Sequence, residues 1–324
     1  MAIQILLTID ATLRWRPGAC DLGMLFQRSF DPAGVGVPFQ LRRLADHRLK
    51  AVYFVDPMPA RTFGLDPVRR MVGAILDAGQ EVQLHLNPQW CGGGSPFELT
   101  GLAADVQRAM IGEARDLLVA AGAVPTAFRA GGFAADDATL DALAALGLRY
   151  DSSHNGCLAP WPSAISLPAG QIAPIVHRGV TEIPVTQIGR GSKSDDVAGG
   201  RALRLCDTPL ARIGAALAHA EAFAHPVVNI AGQSVGLATR DGRRADPMHV
   251  GRFEILCQTL DSARERMPTA WFADLDTVRL DANSRPLPVD MTDEAPAPLL
   301  VATPREPEAE PRRSPCPSRR ARIA

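Results

Sequence analysis

The sequence predicts an α/β fold, a distorted (β/α) barrel of about seven or eight strands, and three observations lead to it. Short apolar runs rich in Val, Ile and Leu recur along the chain, each followed by a longer stretch of helical periodicity, which is the pattern of βα units around a parallel sheet. There are about eight such runs, and that number favours a closed barrel over an open sheet. No Gly-x-Gly-x-x-Gly turn follows the first strand, so the signature of an open dinucleotide-binding sheet is missing. With 324 residues, 46% of them hydrophobic, the chain can bury one substantial core.

Taken in order, the first strand is expected at 3–9, where Met1 leads directly into an apolar run. This start has no basic leader or small-residue cleavage site and reads as a strand, so the expectation is cytoplasmic residence. Further strands are expected at 51–55, 81–86, 127–130, 149–152, 182–187, 227–231 and 269–272. Helices are expected between them at 38–48, 67–78, 97–121, 138–146, 210–223 and 250–267. Asp136 and Asp137 precede the fourth helix as N-cap candidates. Cys-Gly-Gly-Gly-Ser at 91–95 lacks the Gly-Lys-Ser/Thr ending of a phosphate-binding loop and is expected only to turn the chain. The polar segment 189–200 reads as a long loop, either solvated or a lid.

Beyond about residue 283, closely spaced prolines break all periodicity. The expected organisation is therefore one barrel domain over 1–282 and a Pro-rich, Arg-ended disordered tail over 283–324. The formal net charge of −1 gives no global reason to expect nucleic acid or an anionic membrane as partner. No apolar run approaches the roughly 20 residues of a transmembrane span. Cys20, Cys91, Cys157, Cys206, Cys257 and Cys316 are scattered without a Cys-x-x-Cys pair, which argues against a disulfide framework or zinc knuckle. Nothing in the sequence signals an oligomeric state.

Three ionisable residues end early strands: Asp10 in Thr8-Ile9-Asp10-Ala11-Thr12, His85 in Leu84-His85-Leu86-Asn87-Pro88, and Arg129 in Phe128-Arg129-Ala130-Gly131-Gly132. In a βα barrel the C-terminal ends of the strands form the reactive rim, so a carboxylate, an imidazole and a guanidinium there make a candidate site. His154 and Cys157 follow another strand end and are the best unassigned candidates.

At these residues the chain resembles the polysaccharide deacetylase (NodB-like) superfamily. Thr8-Ile9-Asp10-Ala11-Thr12 is similar to the first motif, Lys50-Ala51-Val52-Tyr53-Phe54-Val55 to the second strand, and Gly79-Gln80-Glu81-Val82-Gln83-Leu84-His85 to the approach to the first metal histidine. The most specific match is Phe128-Arg129-Ala130-Gly131-Gly132-Phe133, followed by Thr139-Leu140-Asp141-Ala142-Leu143 and Leu148-Arg149-Tyr150-Asp151-Ser152-Ser153. The resemblance implies a polysaccharide deacetylase-like barrel that hydrolyses N-acetyl amides on carbohydrate. A divalent, zinc-like metal polarises the amide, an aspartate removes the water proton, and a late-strand histidine protonates the departing amine. Carried over, Asp10 is the general base, Arg129 its orienting cation and His85 a metal ligand. Trp15, Trp90 and Trp161 near strand-end loops are candidates for stacking on sugar rings or for plain packing.

The departures from the family pattern are specific. The metal acid is replaced by Ala11 or Thr12, depending on the motif form, and the second metal histidine by Gln89. Asn229 to Ser234 stand where the late-strand histidine is expected. His85 is the sole retained ligand, and the neutral groups of Thr12, Asn87 and Gln89 compensate poorly. The expected metal is therefore weakly held or absent. Two readings follow: a carbohydrate de-N-acetylase with a degraded metal site, or a non-catalytic superfamily member that binds carbohydrate or regulates a partner.

Overall fold

The alternation along the first strand sorts the molecule into its layers. In β1 (Gln4–Ala11), Ile5, Leu7, Ile9 and Ala11 join the large apolar core between sheet and helices, while Leu6 joins a second apolar cluster. Side chains alternate faces along a strand, so Thr8 and Asp10 share the Leu6 side, the barrel interior. The computed structural model describes residues 3–13, 22–90, 98–190, 200–275 and 287–289.

After β1 come α1 (Leu22–Phe30), α2 (Val37–Asp46), β2 (Val52–Val55), α3 (Ala60–Phe63), α4 (Asp66–Asp77), β3 (Glu81–Leu86), α5 (Ala104–Ala120), β4 (Ala127–Ala130), α6 (Asp137–Ala145) and β5 (Tyr150–Asp151). The second half holds β6 (Ile175–His177), β7 (Val180–Glu182), β8 (Gln187–Arg190), β9 (Arg201–Ala202), α7 (Leu210–Ala222), β10 (Val227–Gln233), α8 (Pro247–Ser262) and β11 (Leu287–Val289). Eight strands form one sheet in the order β10-β1-β2-β3-β4-β5-β7-β6, and β6 alone runs antiparallel to its neighbour. The sheet curls towards closure: Asn229 N–H donates to Thr186 Oγ1 at 2.8 Å, and Leu205 N–H to the Ala231 carbonyl at 2.8 Å. The result is a distorted (β/α) barrel. The bottom of its interior is plugged by Leu6, Val52, Phe54, Ala127, Tyr150, Val227 and Phe272. No described helix is long and apolar enough to cross a membrane.

The expected helices form, except that the one expected over 97–121 starts only at Ala104, and Asp136 caps α6 by accepting from Thr139 N–H at 3.0 Å. Three expectations change. The single strand over 182–187 divides at Pro184, which has no N–H for a ladder, so β7 ends at Glu182 and β8 starts at Gln187. Residues 269–272 make only an isolated bridge from Thr269 to Ile5, on the edge of β1 opposite β10, because β2 takes that edge from Thr8 to Ala11. Past the expected boundary at 282, β11 pairs in parallel with β8 in a small sheet completed by β9, with Pro288 opposite Gly189 at the sheet edge. The rest of the expected tail, 276–286 and 290–324, lies outside the described residues, as do 91–97 and 191–199.

Candidate functional site at the barrel rim

Arg129, on the inner face of β4, is fully buried and holds the interior of the barrel together. Its Nε–H donates to the Ser152 carbonyl at 3.0 Å, Nη2 donates to Thr8 Oγ1 at 2.9 Å and to Ser152 Oγ at 2.8 Å, and Nη1 donates to Asp10 Oδ1 at 3.0 Å. The guanidinium also lies over the Phe54 ring, 4.3 Å from its centroid. This is the geometry Arg suits and Lys does not, a planar fork whose donors are met from several directions. Asn229 ties β10 into the same network, accepting from Thr8 Oγ1 at 2.9 Å and donating to Ser152 Oγ at 3.0 Å. One layer higher the Asp10 carboxylate, its side chain 15% exposed, reaches the opening of the barrel.

His85 sits beside it on β3, in register with Arg129 on β4. Its Nδ1 lies 2.8 Å from the Arg129 carbonyl oxygen. A carbonyl only accepts, so Nδ1 carries the hydrogen and Nε2 is left as the acceptor. Burial lowers the imidazole pKa below its usual value, with Arg129 adding to the effect and Asp10 opposing it, so the ring is neutral at pH 7. Asp10, Thr12, His85, Asn87, Gln89, Gly132, Gln233 and Arg240 line a single polar cleft of about 470 Å³. Gly131 is needed for this arrangement, since a Cβ there would lie 2.1 Å from Asn87 Oδ1.

Asp10, His85 and Arg129 are thus brought together, with Thr12, Asn87 and Gln89 in the same cleft. Ala11 is not among them, because its side chain belongs to the outer core. Trp90 is buried in that core, edge-on to Phe63 with ring centroids 5.9 Å apart, and presents no face to the cleft. Trp161 is 57% exposed but is no part of the cleft wall. Trp15 lies outside the described residues. His154 and Cys157 are elsewhere: His154 is fully buried against the Pro168 carbonyl at 3.1 Å with its pKa lowered by burial to about 4, and burial pushes the Cys157 thiol up to about 11. Neither is poised as a base or nucleophile at neutral pH.

Sequence reasoning missed Gln233 and Arg240 in the cleft wall and Asp56 just behind it. Asp56 follows β2 directly, a strand-end position like that of Asp10, and this was the available signal. It is buried, accepts from Met58 N–H at 3.0 Å, and its Oδ2 has no hydrogen-bond partner among the described residues. Burial raises its carboxyl to about 7, against the pull of Met58 and Asn87. The folded protein therefore keeps this proton up to about pH 7, while an unfolded chain releases it near pH 4. Stability from this group is full below that lower value and is lost as pH rises towards 7. Asp56→Asn should gain on the unmodified protein by on the order of 1–4 kcal/mol between pH 4 and pH 8. Urea denaturation across that range checks it, and a constant difference would show that Asp56 titrates normally.

The donor set does not fit a zinc-like ion. His85 Nε2 is one good ligand, Asp10 already has one oxygen engaged by Arg129, and Thr12, Asn87, Gln89 and Gln233 are neutral. Among the described residues no group of three His, Cys, Asp or Glu side chains is placed to hold a metal.

No family model and no curated protein matches the sequence. Similarity appears in the structure. A candidate polysaccharide deacetylase from Mycobacterium smegmatis superposes with a TM-score of 0.55 at 19% identity, over 85% of this chain and 88% of that one. The 4-alpha-glucanotransferase of Thermococcus litoralis gives a TM-score of 0.53 at 11% identity, over 87% of this chain and 42% of that one, so this chain spans less than half of that enzyme. A family 4 carbohydrate esterase from Streptomyces lividans gives 0.42 at 12% identity, over 87% of this chain and 98% of that one. The chain has the distorted (β/α)-barrel fold of the polysaccharide deacetylases.

Proposed function

We propose that this chain is a polysaccharide deacetylase-like protein whose rim cleft binds acetylated amino-sugar glycan and whose metal-dependent amide hydrolysis is lost. The observation that carries the reading is the composition of the cleft: the Asp10–Arg129 pair and His85 are kept, while Thr12 and Gln89 occupy the positions that metal chemistry needs filled by an acid and a second imidazole. A polar cleft of about 470 Å³ lies in the size range of small-ligand sites and offers amides for sugar hydroxyls. Cytoplasmic residence is part of the proposal, supported by free thiols at Cys157, Cys206 and Cys257.

The second reading, slow metal-assisted deacetylation, draws on Asp10. Arg129 holds one carboxylate oxygen and leaves the other for a water, as a general base requires. Chitotetraose separates the two. Calorimetry should show saturable binding that Asp10→Asn and His85→Ala weaken, and acetate release should stay at background with added zinc, cobalt or manganese. Metal-dependent acetate release that Asp10→Asn abolishes would establish the enzyme, and absence of any glycan binding would remove the proposal.

A further inference from the structure

The charges in the cleft are the reverse of what a dication would want. Among the described residues, Asp10 is the only carboxylate in its wall, and that carboxylate is already paired with the buried Arg129. Arg240 also lines the cleft, and no described residue pairs with its guanidinium. The acid next to it in the chain, Asp241, is engaged within the turn. Its Oδ1 accepts from Thr239 Oγ1 at 2.6 Å and from Arg243 N–H at 3.1 Å. The loop around Arg240 is a tight, hydrogen-bonded turn. Thr239 N–H donates to the Arg244 carbonyl at 2.8 Å, Gly242 N–H to the Thr239 carbonyl at 2.7 Å with Gly242 at φ +71°, and an antiparallel bridge joins Ala238 to Ala245 below. Asp246 then caps α8 by accepting from Met248 and His249 N–H groups. The turn fixes the backbone that presents Arg240, and the acid beside it is spent inside the turn.

We propose that Arg240 makes this cleft selective for glycans bearing a carboxylate, an acidic sugar next to an N-acetylated one, with the guanidinium as the anion-binding group. The inference rests on the glycan-binding reading above. A planar guanidinium meets a carboxylate with two parallel N–H donors, whereas sugar hydroxyls meet it singly. The neutral amides of Asn87, Gln89 and Gln233 remain for hydroxyl and acetamide groups of the adjoining sugar. The side chain of Arg240 is exposed, so its replacement leaves the fold intact.

The test compares hyaluronan tetrasaccharide, in which glucuronate alternates with N-acetylglucosamine, with the neutral chitotetraose, by calorimetry on the full chain. The unmodified protein should bind the acidic glycan about ten-fold tighter, a margin that shrinks at high salt. Arg240→Gln should bring the two affinities level by weakening only the acidic ligand, and Arg240→Lys should keep part of the preference. Equal affinities in the unmodified protein, or a preference that Arg240→Gln leaves unchanged, overturn the inference while the glycan-binding reading stands. Binding of neither glycan removes both.

Discussion

Substituting Thr12→Glu and Gln89→His together raises zinc affinity by about 100-fold or more over the unmodified chain, equivalent to about 2.7 kcal/mol. The cleft offers one imidazole acceptor, His85 Nε2, held in the ligating tautomer by the Arg129 carbonyl. Residues 12 and 89 line the same cleft, so a carboxylate and a second imidazole placed there complete a three-ligand set of the catalytic zinc type. Position matters more than motif here. Ala11→Asp with Gln89→His should not raise affinity and should destabilise the protein, because residue 11 is fully buried in the apolar core between sheet and helices. Zinc titration against a competing chelator reads the three proteins side by side. Tight, stoichiometric zinc binding by the unmodified chain would mean that other residues complete the site, and the deacetylase reading would prevail. The double variant need not hydrolyse amides, since Asn229 is committed to Thr8 and Ser152 and no late-strand imidazole stands ready to protonate the amine.

Arg129→Met costs about 3–5 kcal/mol of stability, because breaking one side of a buried ion pair strands the other charge. Methionine fills much of the same volume over the Phe54 ring but donates no hydrogen bond. Asp10, Thr8 Oγ1, Ser152 Oγ and the Ser152 carbonyl each lose a partner, and the strands they belong to, β1 and the end of β5, lose their link through β4. Arg129→Lys should recover only part of this, as one ammonium cannot meet acceptors spread over three directions. Chemical denaturation measures both, and a loss below about 1 kcal/mol for Arg129→Met would show the network to be dispensable. The double variant Asp10→Asn/Arg129→Met should fall less than the sum of the single losses, since the two groups share one interaction.

Much of the architecture was legible because parallel βα units bury their strands on both faces, leaving near-continuous apolar runs such as Ala-Val-Tyr-Phe-Val at 51–55. The pattern failed where pairing partners decided the outcome. Thr269 to Phe272 read as a strand by composition, yet β2 holds the edge of β1 they would need from Thr8 onward, and Phe272 instead plugs the barrel floor against Phe54 and Tyr150. Proline spacing marked 283–324 as a tail, but Leu287–Val289 found an open sheet edge at β8, where a proline is tolerated. Trp90 followed a rim strand and read equally as a sugar platform or as plain packing, and core packing against Phe63 decided it.

The sequence by itself determined that Asp10, His85 and Arg129 meet, because consecutive βα units place every strand's C-terminal end on one rim whatever the details of packing. It determined as well that positions 12 and 89 offer neutral side chains, since no tertiary arrangement turns Thr12 or Gln89 into a charged or imidazole ligand. Only the tertiary structure decided which face each rim residue occupies. That choice put Thr12 in the cleft and Ala11 in the core, buried Asp56 without a partner for one oxygen, and brought Arg240 from a turn some 230 residues along the chain into the same cleft as Asp10. These outcomes depend on sheet register and barrel curvature, which are set by packing between distant segments and leave no local mark in the chain.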